Sequence, residues 1–148
     1  MHRYLVVTNQ TSGSTALFAR VRECLAVGAC RFHVLVPATA GDHHQMGGPS
    51  EATTVARRSL LSALARFRAE GATATGEVGS ANAFDAIQAV LRRDDAFDEI
   101  IVSTLPPGIS RWIHQDLLHR LVRATSLPVS HVFPTRHERR RSTERARG

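Results

Sequence analysis

The run Ser103-Thr104-Leu105-Pro106-Pro107-Gly108-Ile109-Ser110-Arg111-Trp112 is the part of this chain best equipped for chemistry. Two hydroxyls close the apolar run Ile100-Ile101-Val102, a Pro-Pro-Gly turn follows, and a serine and an arginine stand where a helix opens. Hydroxyls, a capping serine and a guanidinium suit a small polar or anionic ligand held just beyond the end of a strand. A plainer assignment fits the same residues: Ser110 only caps, Arg111 meets Asp116 or solvent, and Trp112 covers an apolar rim. On the ligand reading the candidates are Thr8, Asn9, Val36, Ser103, Thr104, Pro106, Gly108, Ser110, Arg111 and Asp116.

Residue types exclude several other chemistries. All 19 basic residues are arginine, so a lysine Schiff base, a Walker-type lysine and a catalytic lysine are ruled out. No Gly-x-Ser-x-Gly occurs, and no serine or cysteine falls in an identifiable nucleophile–base motif. Asp94-Asp95 and Asp98-Glu99 flank a helix-to-strand turn and read as solvated loop charges rather than a catalytic pair. Asp42-His43-His44 is the cluster most like a metal site, but it lacks further ligands on a rigid element and reads as a solvated loop. His114 and His119 are five apart on one helix and do not share a face. His33 and His131 fall in strands, where packing or hydrogen bonding is the expected role. Cys24 and Cys30 read as free thiols, one on a helix and one just before a strand. No metal is expected, and nothing calls for an enzyme.

The elements that would position the candidate loop follow from periodicity. Arg3 to Thr8 reads as a strand, and Asn9 to Gly13 as turn chemistry. Ser12 or Ser14 caps a helix with the stripe Leu17, Val21, Cys24 and Leu25, ended by Gly28. Arg31 to Val36 is a second strand stopped by Pro37, and Ala38 to Pro49 a Gly-rich loop. Ser50 caps a long helix to about Glu70, with Ala52, Ala56, Leu60, Ala63, Leu64 and Phe67 inward and Gly71 closing it. Ala72 to Val78 is a third strand. Gly79-Ser80 leads into a helix carrying Ala83, Ile87, Val90 and Leu91. Glu99 to Ser103 is a fourth strand, and a helix from about Arg111 to Ala124 turns Ile113, Leu117, Leu121 and Val122 inward. Pro128 to Phe133 is a fifth strand.

Strict alternation of strand and helix predicts an α/β fold with a five-stranded parallel sheet and helices on both faces, a Rossmann-like sandwich. Leu5-Val6-Val7, Val34-Leu35-Val36 and Ile100-Ile101-Val102 are continuously apolar, as interior strands are. The third and fifth strands alternate with polar residues, as edges do. The order 3-2-1-4-5 satisfies both, and places a switch point between the first and fourth strands.

Gly79-Ser80-Ala81 opening the third helix, Asp98-Glu99-Ile100-Ile101-Val102 as the fourth strand and Leu127-Pro128-Val129 opening the last, in this order, resemble the universal stress protein family over residues 3 to 133. The resemblance implies the 3-2-1-4-5 sheet of the adenine nucleotide alpha hydrolase-like group. It also implies a homodimer through the fifth strand, here Val129, His131 and Phe133, and in many members a bound ATP. ATP-binding members carry an aspartate after the first strand and Gly-x2-Gly-x9-Gly-Ser/Thr after the fourth. Matched from the fourth strand, those glycines fall on Ser103, Pro106 and Asp116, or Gln115 if counted back from Pro128, and the aspartate on Asn9. Glycines there let backbone N–H groups cradle phosphate. Proline removes a donor, and Asp116 opposes an anion beside a helix start. The expectation is a non-enzymatic regulatory or protective domain that does not take ATP in the family manner and needs no cofactor. The rival is an adenine-nucleotide sensor, holding ATP or AMP with a different phosphate grip.

The 148-residue chain, 43% hydrophobic with mean hydropathy −0.15, is sized for one domain, here residues 1–134. Residues 135–148 form a basic tail with six arginines and two glutamates, which carries +4 of the net +6. The tail has no aromatic for base stacking and reads as disordered and solubilising, with no specific nucleic-acid recognition. An adaptor role, the tail docking to nucleic acid or membrane by charge, is the remaining alternative. No apolar run approaches the ~20 residues of a membrane span, so membrane insertion is not expected. Met1 to Val7 enters a strand with no signal-peptide architecture, so a cytoplasmic location is the default.

Overall fold

Parallel strands buried on both faces must be apolar throughout, and the three continuous apolar runs occupy the sheet interior accordingly. The computed structural model describes residues 1–8, 15–38, 49–94, 96–103 and 111–132, with side chains at 49, 50, 52 and 111–116 outside the description. The elements are β1 (His2–Val7), α1 (Thr15–Val27), β2 (Cys30–Pro37), α2 (Pro49–Ala69), β3 (Thr73–Gly79), α3 (Ala83–Arg93), β4 (Glu99–Ser103), α4 (Arg111–Ala124) and β5 (Val129–Val132). The sheet order is β3-β2-β1-β4-β5 with every pairing parallel. Val6 faces Val34 on one side and Ile101 on the other, so the register stacks apolar on apolar across the centre.

Right-handed crossovers dictate which face each helix covers. The chain steps outward from β1 through β2 to β3, which puts α1 and α2 on one face. It then returns past β1 to β4 and β5, which puts α3 and α4 on the other. On the first face Val6, Val34 and Ile101 meet Leu17, Phe18, Val21 and Cys24 of α1 and Ala56, Leu60, Ala63 and Phe67 of α2. Phe67 is fully buried, with ring centroids 5.1 Å from Phe18 and 5.2 Å from Phe32. On the second face Leu5, Val7, Leu35, Ile100 and Val102 meet Ala86, Ile87 and Val90 of α3 and Leu121 of α4. Cys24 and Cys30 are free and buried, as their places in the sequence suggested.

Helix ends follow their residues. Gly71, at φ +83°, closes α2: its N–H donates to Arg68 O at 3.0 Å and Ala72 N–H to Phe67 O at 3.0 Å, satisfying two orphan carbonyls. Asn82 caps α3, its side-chain oxygen accepting from Asp85 N at 3.1 Å.

Four sequence expectations need correction. The long helix starts at Pro49 rather than after Ser50, since proline's fixed φ and missing N–H suit a first helical position. Pro37 does not stop β2 but ends it as a paired residue opposite Gly79, where its missing donor falls at the strand's last position. Phe18 joins the α1 stripe. Val122 does not face inward: it is 65% exposed, lying about 100° around the helix from Leu121 and off the narrow stripe α4 buries. Ser12, Ser14, the loop with Asp42, His43 and His44, Phe133 and the basic tail lie outside the described residues, as does the side chain of Ile113.

Candidate functional site

The carboxyl ends of β1, β2 and β4 carry the described part of the expected site. Thr8 follows β1, and its N–H donates to Leu35 O at 3.1 Å, extending the ladder by one residue. Val7 pairs with Val102, so Thr8 and Ser103 stand side by side where the sheet order reverses. Both are buried, at 2% and 5% exposure, and Val36 is fully buried on the neighbouring strand. By strand alternation, Thr8, Val36 and Ser103 share the face that α1 and α2 cover. The Thr8 and Ser103 hydroxyls both stand at the end of the strands where open α/β sheets hold ligands in the crevice of a switch point.

The rest of the expected loop is only partly placed. Asn9, Thr104, Pro106, Gly108 and Ser110 lie outside the described residues. Arg111 and Asp116 are placed as backbone only, as the first and sixth residues of α4. Asp116 is thus ~7 Å along the axis from the helix start and does not stand beside it, which corrects the expectation of a charge at the helix N-terminus. The spacing has a second consequence. α4 is already running at Arg111, so position 116, matched in the sequence to the pattern's third glycine, falls inside the helix.

β5 is the edge of the sheet beside β4. Val129, Ser130, His131 and Val132 are all half-buried, and Val129 packs on the α3–α4 core.

A second polar ensemble, which the sequence reading missed, occupies the opposite end of the strands. Arg3 Nη1 and Nη2 donate to the two Asp94 oxygens at 3.0 and 2.6 Å. The Arg3 N–H donates to Asp98 Oδ2 at 2.8 Å, and Asp98 N–H returns a bond to Arg3 O at 2.8 Å. The Arg3 guanidinium lies 4.8 Å from the Phe97 ring centre, and Arg20 donates to Glu99 at 3.1 Å. Asp94, Asp98 and Glu99 are therefore not solvated loop charges; they fasten the start of β4 and the end of α3 to β1 and α1. The guanidinium's bonds hold Asp94 below the usual carboxylate range, with help from the Ala96 N–H.

One strand over, His33 Nδ1 meets Thr75 Oγ1 at 2.8 Å and Nε2 meets Glu77 Oε1 at 2.9 Å. Arg93 also donates to Glu77. Burial alone would raise the Glu77 carboxyl, but His33 and Arg93 together hold it below its ordinary value. His33 is hydrogen-bonded, as its place in a strand suggested. The signal for this ensemble was present in alternation: Arg3, Arg31, His33, Thr73, Thr75 and Glu77 all fall on one face, in register.

Among the described residues no group of three or more His, Cys, Asp or Glu is placed to hold a metal ion. No helix among them is long and apolar enough to cross a membrane.

No protein-family model matches the chain, and no curated protein does. Solved structures do match in fold. A universal stress protein from Archaeoglobus fulgidus superposes with a TM-score of 0.61 at 16% identity, over 89% of this chain and 93% of its own. A member of the universal stress protein family from Burkholderia pseudomallei gives 0.58 at 19% identity, over 88% and 94%. A third structure, described only as a hypothetical protein, gives 0.58 at 17% identity, over 91% and 98%. The shared fold is the five-stranded Rossmann-like sheet in the order 3-2-1-4-5.

Proposed function

We propose that this chain is a divergent universal-stress-protein-type domain with a regulatory or protective, non-enzymatic role, and that it does not grip ATP through a glycine loop after β4. The observation that carries the reading is the early start of α4. The helix begins at Arg111, so position 116, matched to the third glycine of Gly-x2-Gly-x9-Gly, falls inside a helix, where its N–H is committed to the helical ladder rather than free for a triphosphate. Residue types point the same way: Ser103, Pro106 and Asp116 stand at the matched positions, and Pro106 offers no N–H at all. What remains at the switch point, the hydroxyls of Thr8 and Ser103, suits a smaller polar or anionic ligand.

Homodimerisation through β5 belongs to the same reading. An edge strand is a ready template for a second copy, and β5 is the edge beside β4.

The test is the identity of what the protein carries. The full chain is purified without added nucleotide and denatured, and the released small molecules are identified by mass spectrometry. Absence of ATP and AMP is the expected result. Either nucleotide at near-stoichiometric amount overturns the reading in favour of a nucleotide sensor.

A further inference from the structure

The amino-terminal halves of β2 and β3 are left bare on the face that α3 and α4 cover elsewhere. α3 runs from the carboxyl end of β3 toward the start of β4, so it shields the centre of the sheet and leaves this corner open. The result is a groove of about 230 Å³, lined by Arg3, Arg31, His33, Thr73, Thr75 and Phe97, with Phe32 contributing beneath. Arg31, Thr73 and Thr75 are exposed, and Phe97 is a buried apolar floor.

The charges around this groove do not balance. Arg3 and Arg31 are register partners on adjacent strands, and like charges side by side on one face cost stability. Arg3 is offset by Asp94 and Asp98. Glu77, the other carboxylate nearby, is taken by His33 and Arg93. Among the described residues, no ion pair or hydrogen bond engages the Arg31 guanidinium. Thr73 pairs in register with Arg31, and Thr75 with His33, so hydroxyls line the next strand at the same height. A planar five-donor fork with hydroxyl neighbours over an aromatic floor matches the geometry of an oxyanion.

We propose that this groove is a second ligand site, taking a small molecule through a phosphate or carboxylate group, with Arg31 as its charge partner and Thr73 as a hydroxyl donor. It lies at the opposite end of the strands from Thr8 and Ser103, so it stands independently of the nucleotide question.

The test is a titration of the isotope-labelled full chain at low salt, with inorganic phosphate and with acetate, following amide and His33 ring resonances. Saturable shifts confined to residues around positions 31, 33, 73 and 75 are expected, and the stronger of the two probes identifies the group recognised. Arg31→Gln should weaken that probe about tenfold or more, the scale of a lost charge-assisted bond. Arg58→Gln, which removes the same charge from the exposed face of α2, should change it less than twofold. Thr73→Val gives a second readout and should weaken binding several-fold. No saturable shift with either anion, shifts centred elsewhere, or equal weakening by Arg58→Gln would overturn the proposal.

Discussion

Glu77 is held by two partners at once, the His33 ring at 2.9 Å and the Arg93 guanidinium. Its carboxyl sits below the ordinary value despite burial, so its charge stabilises the folded state. The sign follows: a depressed folded value gives stability that is present above the unfolded value of about 4.3 and is lost as pH falls through the folded one. Glu77→Gln should therefore lower stability by about 1 kcal/mol at pH 7, with the difference from the parent closing below about pH 4. Thermal unfolding of both proteins across that range checks it; a gap that stays constant with pH would contradict the role. At this scale the sequence was only half legible. The places of Thr8, Val36 and Ser103 at the strand ends were legible because each ends an apolar run. The Arg3–Asp94 clamp was not, because its partners are 91 residues apart and meet only when β4 comes to lie beside β1.

Among the elements, β3 shows how closely a helix can approach a strand. A Cβ at Gly76 would lie 2.5 Å from Leu60 Cδ1 and 2.8 Å from Val34 O. The leucine tip can yield, but the neighbouring strand's carbonyl cannot. Gly76→Ala should thus cost about 1–3 kcal/mol, measured as a lowered urea midpoint with little change in slope. An unchanged midpoint would mean that β3 is displaced at no cost. Element types and most boundaries were legible because each run is short and has a single period. What escaped was orientation at the margins. Val122 lies only one residue beyond Leu121, yet it is outside the stripe, because α4 buries too narrow a strip to include it.

For the whole molecule, which strands lie inside the sheet and which at its edges was readable from polarity, since three continuous apolar runs fit the interior and two alternating runs fit the edges. The order 3-2-1-4-5 satisfies that sorting. Assembly is the next level. If β5 pairs with its counterpart in a second copy, Ser130→Pro removes one backbone donor from the middle of the edge. That variant should fall to monomer mass by light scattering while keeping its helical signal. A dimer that survives the substitution would place the interface elsewhere.

Whether the connection from β4 to α4 cradles a triphosphate is read most plainly by ATP titration calorimetry on the full chain with magnesium. The prediction is no saturable heat from ATP up to millimolar concentration. A stoichiometric isotherm with a micromolar Kd would contradict it, and would mean that the helix start at Arg111, with Thr8 and Ser103, grips phosphate without the glycines.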